Sequence, residues 1–259
     1  MPKYGILVVE GPHDVEFVYR LLRPFGLQRV QMESDLDPFL KPLIPRDYPP
    51  GGDLQKRMST PLFLQNTTHA FAVHSATGDS RLVATVQEDL VILDPAGLTG
   101  VGILLDADRN KTVSAAARYA EIQRKMQAIS LPLTGAAGTV TGGGPKRGCF
   151  VLPDNAVEGT LEDLLLECAQ AVYPTLLGSA STHANAALKD TTLTPEDLEQ
   201  IHKPSGRSKA VVGSIASILR PGKATQVSLQ DNRWLHGPTL ALPRVKAVQD
   251  FLAALFELP

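Results

Sequence analysis

Cysteine is scarce in this chain, with two in 259 residues, Cys149 and Cys168. Neither lies in a Cys-x-x-Cys or similar spacing, which argues against a thiolate metal site and leaves two buried free thiols as the expectation. Aromatic residues are few as well, at 5% with one tryptophan, Trp234, and they form no interleaved basic and aromatic stripe on which single-stranded nucleic acid would stack. Charge of either sign is not in excess. The 25 Lys and Arg stand against 27 Asp and Glu, giving a net charge of -2 and a pI near 6.3. Such a balance creates no global basic field, so any phosphate-binding patch must be local. No uninterrupted apolar run reaches membrane-spanning length, and Met-Pro-Lys-Tyr leads into a short strand without a signal-type apolar core. A cytoplasmic protein without membrane attachment is therefore expected. The tract Gly142-Gly143-Gly144-Pro145-Lys146 lacks the Gly-x-x-x-x-Gly-Lys-Ser/Thr spacing of a P-loop, so no nucleotide-driven motor is expected.

What is present is a regular alternation of strand-like and helix-like segments in a chain that is 43% apolar, long enough for one large domain or one domain with an appendage. Tyr4 to Val9 reads as a buried strand, broken by Gly11-Pro12 and followed by a helix with Val15, Val18, Leu21, Leu22 and Phe25 at helical spacing. Glu16 and Arg20 are an i, i+4 pair on another face, and Gly26 ends the helix. From Gln28 to Thr68 prolines and glycines interrupt every period, which predicts an inserted loop. Ala70 to Val73 then reads as a strand, Leu82 to Leu90 as a helix, Val101 to Leu105 as a strand, and Val113 to Ile129 as a helix. A loose hairpin over Gly135 to Gly144 leads to a further buried strand, Gly148 to Leu152. Thr160 is placed to cap a helix, with Asp163 three residues on as its capping-box partner. Beyond Thr175 the pattern is mostly helical, ending in a helix near Arg244 to Leu255. This order predicts an α/β fold with an open, mostly parallel sheet flanked by helices. The expected division is a core over residues 1–170, with the insertion at 28–68, and a mainly helical extension over 171–259.

Acidic residues stand where the strands end. Glu10-Gly11-Pro12-His13-Asp14 follows the first apolar run and Asp106-Ala107-Asp108 follows the strand from Val101, while Asp154 follows a third. In open α/β sheets the ligand crevice lies outside the carboxyl ends of the strands, so Glu10, Asp14, Asp106 and Asp108 are expected to converge. Converging carboxylates repel, and a hard cation relieves that repulsion; Mg²⁺, or Mn²⁺ in its place, is the expected ion. Each acid also has a plainer role open to it. Asp14 would cap a helix, Glu162 would favour a helix dipole, and His13 would be an ordinary turn residue.

This arrangement resembles the Toprim domain, the metal-binding α/β module shared by topoisomerases, bacterial primases and OLD-type nucleases. The likeness rests on Val8-Val9-Glu10-Gly11-x-x-Asp14 and the strand-borne Asp106-Ala107-Asp108. Leu152-Pro153-Asp154-Asn155, then Glu158-Gly159-x-Leu161-Glu162-Asp163 and later Ser208-Lys209-Ala210, are similar to an uncharacterised Toprim-like family of stand-alone bacterial and archaeal proteins. The resemblance implies that Glu10 is a metal ligand or an acid/base group and that Asp106 and Asp108 are ligands. It further implies that Asp14 serves the same site and that Glu162 would allow a second ion, while Asp154 joins the expected ligands because it ends a third strand. The ATPase region of OLD proteins is absent from this sequence, as is any topoisomerase or primase appendage.

Basic residues available to hold phosphate are Arg109 and Lys111 beside Asp-x-Asp, Lys146 and Arg147 before the third strand, and Lys203, Arg207 and Lys209 later. Of these Lys209, at a helix start, is the expected catalytic cation. The function expected is Mg²⁺-dependent phosphodiester chemistry on nucleic acid, as a nuclease or related phosphotransferase. The alternative is a non-catalytic module that binds nucleic acid or a protein partner, a second copy of itself included, and keeps its metal for structure.

Overall fold

The computed structural model describes residues 2–47, 52, 60–109 and 114–259. The chain runs β1 (Lys3–Val9), α1 (Pro12–Leu22), β2 (Gln28–Arg29), β3 (Leu62–Gln65), β4 (His69–Ser75), α2 (Leu82–Ile92), β5 (Leu98–Asp106), α3 (Ala115–Ala128), β6 (Val140–Thr141) and β7 (Lys146–Leu152). Six helices follow: α4 (Leu161–Val172), α5 (Pro174–Ala187), α6 (Pro195–Leu198), α7 (Gly206–Leu219), α8 (Thr225–Asp231) and α9 (Pro243–Phe256). The strands form one open sheet in the order β2-β3-β4-β1-β5-β7-β6. It is parallel across its centre, where β1 lies between β4 and β5, and antiparallel where β3 meets β4 and at the short edge strands. The expected α/β class, an open sheet flanked by helices, is the one observed.

Two compact units divide the chain: Met1–Leu105, Tyr119–Phe150 and Gln249–Pro259 make the first, Asp106–Arg118 and Val151–Val248 the second. The end of α9 belongs to the first unit although the residues before it belong to the second. The segment expected as an inserted loop differs, since β2 and β3 extend the sheet on the β4 side, with Gln28 opposite Gln65 and Phe63 opposite Ala72. The part of the insertion over residues 48–51 and 53–59 lies outside the described residues.

In the first unit, Ile6, Leu7, Val8 and Val9 of β1 are fully buried, as are Val101, Ile103 and Leu104 of β5. Continuous apolar runs of this kind suit central strands covered on both faces. Helix α1 buries Phe17, Val18, Leu21 and Leu22, while its Glu16 pairs with Arg29, whose guanidinium lies 4.4 Å from the centre of the Tyr19 ring. The last turn of α9 brings Phe256 onto Phe71, ring centres 4.5 Å apart, over a trough left by Gly5, Gly100 and Gly102.

The second unit is helical. Helices α4, α5 and α7 pack on one another, and α8 and the Arg233–Leu235 turn close the group. Trp234 is fully buried, donates its indole N–H to Ser228 Oγ at 2.9 Å and meets the Tyr173 ring edge-on. Both cysteines are buried and neither is in a disulfide, and burial pushes the Cys168 thiol up to about 12, so it is an inert core residue.

Candidate functional site

At the end of β1 the chain turns through Gly11 into α1, where Asp14 Oδ2 accepts the Gly11 N–H at 2.9 Å. This is the capping role open to Asp14 from the start: it satisfies a backbone donor that the helix cannot. The loop after β4 is laced to the same place. Val9 O accepts the N–H of Ala76 at 2.8 Å, and Glu10 O accepts that of Gly78 at 3.0 Å. Parallel register sets Val9 beside Ser75 on one side and beside Leu104 on the other. The chain therefore leaves β1 at Glu10 and β4 at Ser75 along one edge of the sheet, level with Leu104 of β5.

In the second unit, Asp106 Oδ1 accepts the N–H of Leu161, the first residue of α4, at 2.8 Å. Ala107 N–H donates to Leu152 O at 2.9 Å, and Asp108 O accepts the Gly159 N–H at 3.0 Å. Asp108 sits at φ 61°, a left-handed conformation that a short polar side chain tolerates. Its carboxylate is 52% exposed and 3.9 Å from Arg118 Nη2, while Arg118 Nε donates to Asp106 O at 3.3 Å. The Thr160 and Asp163 capping box forms as the sequence predicts, with Asp163 Oδ2 accepting the Thr160 N–H at 2.8 Å; Asp163 also pairs with Arg109. Buried Glu162 accepts the Thr160 hydroxyl at 2.8 Å.

Asp106 and Glu162 are thus both tied to the first turn of α4. Asp154 is not available in the way expected. Its Oδ1 accepts the N–H groups of Ala156 and Val157, and its Oδ2 pairs at 2.9 Å with Arg244, which also holds Glu167. A carboxylate with both oxygens committed, one to a guanidinium, is a poor cation ligand. Among the described residues no three acidic, histidine or cysteine side chains stand close enough to hold a metal ion by themselves.

Exposed Lys209, in the first turn of α7, lines a cavity of about 370 Å³ with Asp197, Gln200, Lys203 and Ser205. The other basic residues have local partners: Lys146 holds Glu257, Arg147 donates to Gly142 O, Lys203 to Gln200 and Arg207 to Asn185. Lys111 lies outside the described residues. Sequence reasoning missed Arg118 and a pair in the first unit, His74 of β4 and Asp89 of α2. Asp89 is 2% exposed, and its carboxylate oxygens lie 3.0 and 3.2 Å from His74 Nδ1. A histidine interrupting the apolar run of β4, with one acid on the inward side of the next helix, was the available signal.

The family described as "Protein of unknown function (DUF3226)" matches residues 4–257. Among solved structures the fold is similar to that described as "Crystal structure of hypothetical protein PH0156 from Pyrococcus horikoshii OT3", with a TM-score of 0.54 and 16% identity over 98% of this chain and 95% of that one. At that identity the likeness concerns the fold alone. No curated protein matches the chain.

Proposed function

The chain belongs to the DUF3226 family, and we propose that it performs Mg²⁺-dependent phosphodiester chemistry on nucleic acid, as a nuclease or related phosphotransferase. One observation carries the reading: parallel register sets Val9, the residue before Glu10, beside Leu104 of β5, two residues before Asp106 in the chain. The resemblance of these acids to the Toprim pattern adds to it. The donor set fits a hard cation, because Asp106 and Asp108 offer only oxygen, and Mg²⁺ is commonly bound through one or two carboxylates while keeping its waters. Mn²⁺ suits the same donors. When bound, the ion would orient a phosphate and acidify a water. Asp106 Oδ1 is held by the Leu161 N–H, which lessens the side-chain ordering that an ion would have to impose. Glu10 is the ligand or proton-carrying group at the β1 end, and Arg109, Arg118 and Lys209 are the cations on hand for phosphate oxygens. A cytoplasmic location belongs to the same proposal, supported by two cysteines that form no disulfide. No helix among the described residues is long and apolar enough to cross a membrane.

The test is cleavage of labelled DNA and RNA with Mg²⁺ or Mn²⁺ by the wild type and by Glu10→Gln, Asp106→Asn and Asp108→Asn. Losses of about 10²-fold or more are expected for each. Cleavage that all three variants retain would overturn the reading.

A second reading draws on the arginines. Pairing of Asp163 with Arg109 and of Asp154 with Arg244 neutralises part of the acidic set internally, which suits a non-catalytic module that binds nucleic acid or a protein partner, or dimerises, around a structural ion. It predicts that Mn²⁺ raises the melting temperature while no substrate is turned over.

A further inference from the structure

The first unit holds an unassigned pair, His74 and Asp89. Against a carboxylate that accepts, Nδ1 of His74 is the donor, and in the neutral ring that tautomer leaves Nε2 as the acceptor. Nε2 has no hydrogen-bond partner among the described residues, and the side chain keeps 17% exposure where Asp89 keeps 2%. A tether whose only task was to hold α2 on the sheet would be served by any donor at this position. What an imidazole adds is a second nitrogen, oriented by the first. Register puts His74 beside Val8, two residues before Glu10, and the backbone hydrogen bonds of Ala76 and Gly78 to Val9 and Glu10 fix the two loops together.

We propose that His74, oriented by Asp89, is the group that takes the proton from the attacking water in the phosphodiester hydrolysis proposed for this sheet edge. The inference rests on that reading and divides its roles, leaving Glu10 to hold the cation. The water oxygen bonds to phosphorus while its proton passes to Nε2. The bond from phosphorus to the leaving oxygen breaks with its electron pair on that oxygen, which takes a proton from solvent. The imidazolium is stabilised by the Asp89 carboxylate and returns its proton to bulk water. Asp89 is a positioning residue: it fixes the tautomer and touches no substrate.

His74→Asn separates this role from a structural one. The asparagine amide nitrogen replaces Nδ1 towards Asp89, so the tether survives, while nothing replaces Nε2. Hydrolysis of bis(p-nitrophenyl) phosphate and of labelled DNA and RNA with Mn²⁺ is measured beside thermal unfolding and Mn²⁺ uptake by calorimetry. The expected result is a fall in kcat of about 10²–10⁴-fold with melting and Mn²⁺ uptake unchanged, and partial recovery of the rate of a His74→Ala variant by added imidazole. A His74→Asn enzyme as active as the wild type, or a His74→Ala variant that imidazole does not rescue, overturns the proposal while leaving the nuclease reading intact. A wild type that hydrolyses none of these substrates overturns both.

Discussion

Glu257 takes two lysines at once, Lys3 at 2.7 Å and Lys146 at 2.9 Å. The Lys3 hydrogen bond first, then that of Lys146 and the two charges, hold its carboxyl down at about 2 against an ordinary 4.5. A carboxyl whose pKa is lowered by folding binds fewer protons folded than unfolded, so its contribution is present above the ordinary value and lost as pH falls through the lowered one. Glu257→Gln should therefore melt below the wild type at pH 7, and the gap should close between about pH 4.5 and 2. Melting curves across that range check it; a gap independent of pH would show that the lysines do not act through charge. The same scale explains what the acids concealed. That acids end the strands is readable from adjacent residues, but that Asp154 is claimed by Arg244, and Asp163 by Arg109, depends on residues far along the chain that only the fold brings near. The pairing of His74 with Asp89 was concealed for a related reason, although each residue stood out in its own segment. Which face of β4 meets α2 is not written in either segment alone.

Elements were legible where one rule sufficed. Uninterrupted apolar runs gave the central strands, and the Thr160 and Asp163 pair gave the start of α4, because capping is decided within one turn. Asp163→Ala should thus cost about 1 kcal/mol for the cap alone, with a further loss from Arg109 left unpaired. Urea unfolding measures it, and an unchanged midpoint would mean that the first turn of α4 is held by the Leu161 contact to Asp106 instead. Legibility failed between Gln28 and Thr68. Strand β2 has two residues and β3 four, too short for alternation to show among prolines, and β3 is defined by its pairing to β4 rather than by its own pattern.

For the molecule as a whole, the change from alternating strands and helices to helices alone suggested a boundary along the sequence, yet the compact units interleave and the chain's end completes the first of them. No local signal carries this, because the trough that receives the end of α9 is made by absences: Gly5 on β1, Gly100 and Gly102 on β5. A Cβ on Gly5 would lie 2.5 Å from ring atoms of Phe256, whereas one on Gly100 would lie 2.5 Å from the backbone oxygen of Leu255. Alanine at either position should cost about 1–3 kcal/mol by overpacking, and Phe256→Ala about 3–5 kcal/mol by opening a cavity under Phe71. Combining them distinguishes the two contacts. Gly5→Ala fills part of the cavity that Phe256→Ala leaves, so that pair should be sub-additive by about 1 kcal/mol or more, while Gly100→Ala with Phe256→Ala should couple less, because a Cβ there lies 3.0 Å from Phe256 Cδ1 but is blocked by Leu255 O at 2.5 Å whether or not the ring is present. Unfolding in urea supplies both cycles. If both pairs are additive, the end of α9 is not seated in the glycine trough, and the first unit must close its core without it.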